Sequence, residues 1–308
     1  MRWLEHIGEK NVIRLNTSAP IERIHMDDDS FELVFSDQTI LSKDLKSIWF
    51  RRGNAWFDGL LQKVTLTGRP SLAQGISDIY VEEARRTREY FHFLLTRNVR
   101  SLGHPAKYDL NKPIVLALAR DAGLRTPRFS ILNTKQQLQK CMAWGQTITK
   151  PVSNGLYLWD FKCEQTAYFS YTERVHENSF EQLPERFPMS FVQEEIEKDF
   201  EVRTFFLDGE VYSMAILSQE DATTSVDFRK YNWENPNRMV PFEIPPCVVE
   251  SSRTLFKSIG LNTGSLDFIV GKDGDFYFLE INPIGQYEWV SRICNYQLDR
   301  KIAHWLAG

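Results

Sequence analysis

The segment Leu266–Pro283 constrains the fold most, because it reads as a β-hairpin that carries two carboxylates and an amide. Its alternating apolar runs flank Asp273-Gly274, a dipeptide that favours a two-residue type I′ turn. Counting outward from that turn places Asp267 opposite Glu280, and strand alternation returns Asn282 to the same face. Two carboxylates that face each other across a ladder destabilise it, because like charges repel. Carboxylate and amide oxygens that converge on one face are, however, the hard ligands that Mg²⁺ accepts. The pattern predicts a magnesium site; the alternative is a hairpin with solvated acids on its outer face.

Composition limits the class of protein. The 308 residues include 42% hydrophobic residues, enough for a buried core in two or three compact units. The formal net charge of -4 does not favour binding to nucleic acid. Four cysteines lie far apart without zinc spacing, so we expect a reduced, cytoplasmic setting. Six scattered histidines argue against a histidine-based mechanism. The sequence contains no membrane-length apolar run, no signal-peptide core, and none of the motifs GxGxxG, GxxxxGK[ST], GxSxG and HExxH.

The pattern of strands and helices divides the chain into three blocks. Gly103 and Pro105 interrupt a helical pattern, so we expect an N-terminal domain over residues 1–106, a central lobe over 107–188 and a C-terminal lobe over 189–308. Strands followed by helices favour α+β lobes in the last two blocks. The predicted helices are Ile79–Asn98, Asn111–Ala122, Thr134–Trp144, Val249–Ser258 and Asn295–Leu306. The predicted strands besides the hairpin are Phe31–Ser36, Ser47–Arg52, Arg128–Leu132, Gln146–Lys150, Phe191–Ile196, Glu201–Leu207 and Val211–Leu217.

Further motifs precede the hairpin in a consistent order. They are NKPIVLALARDAGLRTPRF with Lys112, TITKP with Lys150, FVQEEIEKDFEVRTFFLDGEVY with Glu201 and Arg203, and VDFR with Asp227 and Arg229. Together with LEINPIGQYEWV, they resemble the ATP-grasp superfamily over roughly the last two thirds of the chain. The resemblance implies an α/β protein with the ATP-grasp fold, in which a pre-ATP-grasp domain precedes two α+β lobes that clasp ATP.

The resemblance also implies which residues form the site. The expected Mg²⁺ ligands are Asp267, Glu280 and Asn282. The lysines expected to neutralise the phosphates of ATP are Lys112 and Lys150. The hinge residues whose backbone groups are expected to bind the edge of adenine are Gln193, Glu194, Glu195 and Ile196. Glu201 is expected to accept hydrogen bonds from the ribose hydroxyls. Phosphoryl transfer needs positive charge where transition-state charge develops, and the expected catalytic residues are Arg203, Asp227 and Arg229.

The residues by themselves leave alternatives open. Lys150 ends the strand QTITK, where a solvated lysine is the common outcome. Lys112 follows Asn111 at a helix start, where a cation is unfavourable unless its side chain reaches a phosphate. The QEEI segment also fits a central strand that binds no ligand. Arg203 and Arg229 could both be ordinary surface residues. The loop PVSNGLYLWD after Lys150 has one glycine, fewer than related ligases usually place over the phosphates, which leaves its contacts open.

Two shorter patterns narrow the resemblance. SIWFRRGNAWF and NPIGQYEWV are similar to the ATP-grasp maturases of graspetides, the microviridin-like ω-ester peptides, and FRRG is most similar to their grasp-with-spasm branch. This resemblance implies an ATP-dependent macrocyclase that activates Asp or Glu side chains of a precursor peptide as acyl phosphates and joins them to Ser or Thr hydroxyls or Lys amines. The implied partners are a precursor with a leader and a core, and a second copy in a homodimer. Arg51 and Arg52 would hold a carboxylate of the core peptide. Alternatively, they are solubilising residues at the end of an exposed strand.

Two other functions remain open at this stage. A ligase of free amino acids or of a protein carboxyl terminus would share the nucleotide motifs and need no leader peptide. An ATP-binding scaffold would keep the fold without turnover, although the complete set of Asp267, Glu280, Asn282 and Lys150 argues against it. Related maturases usually open with an apolar strand, which MRWLEHIGEKNVIRLN does not supply. Either the start is misassigned or truncated, or the first block lacks that strand.

Overall fold

The computed structural model describes residues 2–9, 11–15, 21–51, 65–153, 157–160, 166–169, 172–217 and 237–308, the backbone alone being described for 157–160 and 166–169. The chain divides into two compact units. The first contains Met1–Asp109, Pro283–Gly285 and Gln297–Gly308, and the second contains Leu110–Asn282 and Gln286–Tyr296. The three-domain division stays a prediction.

The helices and strands of the described chain have the following bounds. The α-helices are α1 (Arg2–His6), α2 (Pro70–Asn98), α3 (Lys112–Asp121), α4 (Lys135–Met142), α5 (Glu177–Gln182), α6 (Pro246–Ile259), α7 (Glu288–Cys294) and α8 (Leu298–Ala307). The strands up to the hairpin region are β1 (Arg23–Met26), β2 (Phe31–Val34), β3 (Thr39–Leu41), β4 (Ser47–Trp49), β5 (Arg100–Leu102), β6 (Phe129–Thr134), β7 (Thr147–Thr149), β8 (Tyr157–Asp160), β9 (Thr166–Phe169) and β10 (Glu173–Arg174). The remaining strands are β11 (Arg186–Glu194), β12 (Lys198–Leu207), β13 (Glu210–Leu217), β14 (Arg238–Phe242), β15 (Thr263–Gly271) and β16 (Phe276–Asn282).

The first unit is built on a short antiparallel sheet and one long helix. Strands β1, β2 and β3 form a meander, and Phe91, Leu94 and Leu95 of α2 share a buried core with Phe31 and Leu33 of this sheet. Strands β4 and β5 pair in parallel on either side of the α2 crossover. Helix α2 begins at Pro70, well before the predicted start, because proline at the first helical turn has its φ preset and no N–H to leave unpaired.

The second unit contains two antiparallel sheets and a hairpin. The strand orders are β14–β13–β12–β15–β16 and β10–β7–β11–β6, and β8 pairs with β9. One face of the β12–β15–β16 sheet packs on α3 and α6, where Phe206 stacks on Phe256 with ring centroids 4.0 Å apart. Because side chains alternate along a strand, the opposite face is left for the polar residues at 201, 203, 267 and 280.

Most predicted elements of the second unit are present with shifted ends. Thr134 caps α4 by accepting the backbone N–H of Gln137 at 3.3 Å, as predicted. Asn111 caps α3 by accepting the N–H of Ile114 at 3.2 Å, which places Lys112 in the first helical position. Helix α7 was not predicted, because its seven residues are too few to show a clear helical period. No helix in the described part of the chain is long and apolar enough to cross a membrane.

The turn of the β15–β16 hairpin differs from the prediction. Gly271 donates its N–H to the carbonyl of Asp275 at 2.9 Å, so three residues, 272–274, form the turn. A type I′ turn requires positive φ at both central residues, but among these residues Gly274 has φ 82° and Asp273 is not one of the described non-glycine residues with positive φ. The prediction of a two-residue turn is therefore wrong. The Asp273 carboxylate instead accepts the N–H of Asp275 at 3.1 Å and stabilises the longer turn.

Candidate active site

The predicted pairing of the two hairpin carboxylates is confirmed, although by a different route. The three-residue turn shifts the register by one, which alone would send the two carboxylates to opposite faces. A β-bulge corrects this shift: Phe268 pairs with Phe278 whereas Asp267 pairs with Glu280, leaving Leu279 as the extra residue. Asn282 pairs with Ser265, two residues further along both strands. The two carboxylates and the amide therefore lie on one face of the sheet.

Each carboxylate has its own cation. On the neighbouring strand β12, Arg203 pairs with Asp267, and its Nη1 donates to Oδ1 and Oδ2 at 2.8 and 2.7 Å. From the first turn of α3, the ammonium of Lys112 lies 3.0 Å from Oε2 of Glu280 and 3.4 Å from the carbonyl oxygen of Pro151. These contacts offset the repulsion expected between like charges that face each other across a ladder. The site thus combines two acids and two bases within one sheet face and one helix start.

The Arg203 guanidinium is buried and only partly satisfied. The residue is 6% exposed, and its Nε and Nη2 groups have no hydrogen-bond partner among the described residues. Its guanidinium carbon lies 5.9 Å from the ring centroid of Trp289 in α7. Ser265, which is fully buried and next to Asp267 on the same face, also has an Oγ without a partner among the described residues. Buried donors of this kind are costly unless an acceptor completes them, so they fit a site for an anionic ligand.

Glu201, the predicted ribose-binding acid, forms a buried ion pair that was not predicted. It is 8% exposed and its Oε1 contacts the ammonium of Lys198, which is 6% exposed. In a regular strand these two positions face opposite sides, but a register shift between Lys198 and Phe200 adds one residue to β12 and brings both to the same side. Strand alternation could not reveal Lys198, since the bulge depends on the pairing with β15.

The predicted hinge segment ends strand β11. Gln193 is fully buried, and both its Oε1 and Nε2 have no partner among the described residues. The backbone N–H groups of Glu194 and Glu195 donate to the carbonyls of Arg128 and Gln146 at 2.9 and 2.8 Å. These two N–H groups are therefore engaged within the protein, whereas the Gln193 amide offers a donor and an acceptor to a ligand. The Glu195 carboxylate accepts two hydrogen bonds from the Arg174 guanidinium, at 2.7 and 2.6 Å.

Lys150 lies just beyond the end of strand β7, as its position after QTIT predicted. Its backbone N–H donates to the carbonyl of Phe191 at 3.3 Å, and its ammonium lies 5.9 Å from the centroid of the Phe191 ring. Phe191 and Gln193 are two residues apart on β11 and share a face. Lys150 and the unsatisfied Gln193 amide therefore lie on the same face of the β7–β11 sheet.

These residues fit a bound metal and nucleotide. No group of three or more His, Cys, Asp or Glu side chains close enough to hold a metal occurs among the described residues. Two carboxylates and one amide are instead the incomplete oxygen set that Mg²⁺ uses when phosphates and water supply its other ligands. The unsatisfied donors of Arg203 are the groups expected to meet those phosphates.

The remaining predicted residues lie elsewhere or outside the described chain. Arg51 belongs to the first unit, where its Nη1 donates to the carbonyl of Gly285 at 3.4 Å and its guanidinium lies 4.9 Å from the Trp49 ring centroid. Arg52, Asp227 and Arg229 lie outside the described residues.

Comparisons with known proteins identify the fold. No protein-family model matches the sequence, and a search of curated proteins gives no significant match. Among solved structures, the chain is similar to a RiPP-associated ATP-grasp ligase of Chryseobacterium gregarium in complex with ADP and a leader and core peptide, with a TM-score of 0.80, 22% identity and coverage of 99% of this chain and 91% of that one. It is also similar to the macrocyclase MdnC of Microcystis aeruginosa bound to the precursor peptide MdnA, with a TM-score of 0.74, 24% identity and coverage of 99% and 93%. The macrocyclase MdnB of the same organism gives a TM-score of 0.68 at 23% identity, over 99% and 92%.

The chain has the fold of these ATP-grasp ligases. The α/β class, the ATP-grasp fold and the resemblance to maturases of this kind, all predicted from the motifs, are confirmed at the level of the fold. Coverage of 99% of this chain means that both units, the first as well as the second, have their counterparts in those proteins.

Proposed function

We propose that this protein is an ATP-dependent peptide macrocyclase. The substrate would be a ribosomal precursor peptide whose Asp or Glu side chains are activated as acyl phosphates and then joined to Ser or Thr hydroxyls or Lys amines of the same peptide. The observation that carries the proposal is the face on which Asp267 and Glu280 lie opposite each other, each paired with a cation, Arg203 or Lys112. The fold of ligases solved with ADP and precursor peptides supports the same assignment.

Binding of ATP and Mg²⁺ would give the charged side chains of this site new ionic partners. In the structure, the carboxylates of Asp267 and Glu280 neutralise Arg203 and Lys112. When bound, ATP would supply the phosphoryl group, and Mg²⁺ would supply positive charge that offsets the charge of the phosphates. The two carboxylates and Asn282 would then hold the metal, and Arg203 and Lys112 would turn their N–H groups to the phosphates and to the developing acyl phosphate. Lys150 would add a third cation from the strand end.

Binding of the nucleotide base and sugar is assigned to residues around the hinge. The buried Gln193 amide has unsatisfied donor and acceptor atoms, as an adenine edge would require. The ion pair with Lys198 holds the Glu201 carboxylate in place, and this carboxylate would accept hydrogen bonds from the ribose hydroxyls. Buried carboxylates that are held by a neighbouring cation keep their orientation before the ligand arrives, and this preorganisation lowers the cost of binding.

Recognition of the peptide is assigned to a leader and a core. A leader docked away from the chemistry would raise the effective concentration of a weakly bound core, so that a modest core affinity suffices. Arg51 and Arg52 stay candidates for a core carboxylate. A cytoplasmic location and a homodimer also remain predictions, as does the choice between ester and amide products.

Trapping the activated carboxylate tests the proposed reaction. Purified protein, ATP, Mg²⁺ and a Thr- and Asp/Glu-rich peptide encoded next to its gene should yield peptide hydroxamate when hydroxylamine is present during turnover. Glu280→Gln should reduce hydroxamate by roughly 100-fold, because loss of even an outer-shell partner of a metal costs 10–100-fold. Asp275→Asn is the matched control: this exposed carboxylate of the same hairpin pairs with Arg125, and its loss should leave the yield unchanged.

The outcomes separate the competing functions. Hydroxamate formed on free amino acids in place of the peptide would favour the small-molecule ligase. Absence of ADP with any acceptor would favour the scaffold. Equal yields from the wild type and Glu280→Gln would remove the site assignment.

A further inference from the structure

A fully buried serine lies on the metal face without a hydrogen-bond partner. Ser265 in strand β15 is 0% exposed, and its Oγ has no hydrogen-bond partner among the described residues. Burying a hydroxyl without a partner costs free energy, so each such group needs an explanation, such as a role in a functional site. We therefore ask which neighbour this hydroxyl meets when the site is loaded.

The register of the sheet limits the side chains that the Ser265 hydroxyl can reach. On one side Ser265 pairs with Phe205 of β12, whose ring offers no hydrogen-bonding group. Along β15 the next residue on the same face is Asp267, about 7 Å away, and both of its carboxylate oxygens already accept from Arg203. On the other side Ser265 pairs directly with Asn282 of β16. Directly opposed side chains have Cβ atoms about 4.5–5.5 Å apart, so the Asn282 amide is the polar group within reach.

The backbone of Asn282 is fixed, but its side-chain amide has two different ends. A Cβ on Gly264 would lie 3.1 Å from the Asn282 carbonyl oxygen and 3.2 Å from the Phe256 ring, so glycine permits a close approach here. Pro283 follows Asn282 and restricts its backbone to the extended region. The amide carries an oxygen at one end and an NH₂ group at the other, and only the oxygen can bind Mg²⁺. A site that uses Asn282 as a metal ligand thus needs a group that fixes which end faces the metal.

We propose that Ser265 is a positioning residue for the metal ligand Asn282. This role rests on the proposed function, in which Asn282 holds Mg²⁺ beside ATP. In the loaded site the Nδ2–H of Asn282 donates to Ser265 Oγ, which leaves the amide oxygen to face the metal. The structure places the two side chains opposite each other on one face without this hydrogen bond, so metal binding brings it about. Partners of this kind orient metal ligands in many proteins.

Removing the hydroxyl tests the role through measurements that need no turnover. In calorimetry with a fixed concentration of a non-hydrolysable ATP analogue, Ser265→Ala should raise the apparent dissociation constant for Mg²⁺ by roughly tenfold, because loss of a partner of a metal ligand costs 10–100-fold in affinity. Without Mg²⁺, the analogue should bind the variant as it binds the wild type. The urea midpoint of the ligand-free variant should be no lower than that of the wild type, since the hydroxyl has no partner among the described residues.

Ser213→Ala is the matched control. Ser213 is a buried serine of the same sheet, but its Oγ lies 2.8 Å from Oγ1 of Thr204, on the opposite face from Arg203. Its loss leaves the Thr204 hydroxyl buried without this partner, so the urea midpoint should fall while the constant for Mg²⁺ keeps its wild-type value. A midpoint for Ser265→Ala as low as that for Ser213→Ala would mark the Ser265 hydroxyl as a structural group and overturn the proposal.

Asn282→Asp separates orientation of the amide from a direct contact between the hydroxyl and the phosphates. Aspartate presents an oxygen at either end and needs no partner to select one, so in this background Ser265→Ala should change the constant for Mg²⁺ by less than about twofold. A tenfold loss that persists in this background, or weaker binding of the analogue to Ser265→Ala without Mg²⁺, would assign the hydroxyl to the phosphates and overturn the positioning role. A constant for Mg²⁺ in Ser265→Ala equal to that of the wild type would overturn it as well. A wild type that binds neither Mg²⁺ nor the analogue would instead refute the proposed function itself.

Discussion

Replacing Arg203 by Met removes the buried cation that neutralises Asp267 while keeping most of the side-chain volume. Arg203 is 6% exposed and contacts both oxygens of Asp267, so the variant removes a buried cation from this carboxylate, which lies opposite a second acid, Glu280. Removing one partner of a buried ion pair costs 3–5 kcal/mol. Glu280 keeps its own cation, Lys112, at 3.0 Å, which limits the added repulsion. We therefore expect Arg203→Met to lower the free energy of unfolding by about 3 kcal/mol without Mg²⁺.

Magnesium should recover much of this loss if Asp267 is a metal ligand. In the wild type a metal must replace the contact between Arg203 and Asp267, whereas in the variant that contact is already absent. The variant should therefore bind Mg²⁺ more tightly, and a free concentration of 100 times Kd adds about 2.7 kcal/mol of stability. Urea denaturation with and without millimolar Mg²⁺ measures both effects. ATP binding should weaken in the same variant, because the donors proposed to meet the phosphates are gone.

Arg125→Met is the matched control for this experiment. Arg125 also pairs with an acid of the hairpin, Asp275, but their side chains are 63% and 40% exposed. Exposed pairs contribute up to about 1 kcal/mol, so this variant should lose little stability and respond to Mg²⁺ like the wild type. Equal stabilisation of the wild type and Arg203→Met by Mg²⁺ would refute the idea that the metal and Arg203 share Asp267. So would a stability loss in Arg203→Met no larger than that in Arg125→Met.

Three further predictions concern the nucleotide, pH and packing. Lys150→Met should weaken binding of a non-hydrolysable ATP analogue more than Lys112→Met does, because the end of strand β7 gives Lys150 the better-defined position; equal calorimetric affinities for all three proteins would contradict both roles. Burial lowers the pKa of His92 to about 4, so the unfolded chain takes up this proton first as the pH falls, and stability should decline between about pH 6.5 and 4. His92→Gln should flatten that decline in melts across the pH range, and an unchanged slope would contradict the assignment. Gly264→Ala should cost about 1–3 kcal/mol in urea denaturation, because the added methyl would lie 3.1 Å from the backbone oxygen of Asn282 and 3.2 Å from the Phe256 ring; wild-type stability would contradict this packing.

The metal face shows how much of the site the sequence could predict. Alternation and the Asp-Gly dipeptide correctly placed Asp267 opposite Glu280, but two errors cancelled. The turn has three residues, and a bulge at Leu279 returns the register to the predicted one. A bulge is decided by packing on both faces of the sheet, so the sequence of one strand does not reveal it.

The sequence could predict which cations belong to the site, but not which carboxylate each of them contacts. Lys112 and Arg203 were predicted to meet phosphate, and the structure adds that they hold Glu280 and Asp267. Those contacts depend on strand order and on the packing of α3 beside β16, neither of which local periodicity reports. Lys198 was missed for the same reason, since a bulge in β12 brings it to the side of Glu201. The start of α2 at Pro70 could have been predicted from the sequence, because proline favours the first turn of a helix. The predicted start did not take this preference into account.

The mass of the precursor peptide after reaction tests the central claim most directly. Each intramolecular ester or amide expels one water, so incubation with ATP, Mg²⁺ and the wild-type protein should yield peptide lighter by whole numbers of water. Hydroxide should reopen esters and leave amides intact. Glu280→Gln should leave the peptide mass unchanged, whereas Asp275→Asn should act like the wild type. ADP release without any loss of peptide mass, across the credible precursors, would contradict the macrocyclase assignment and leave the ATP-grasp fold untouched.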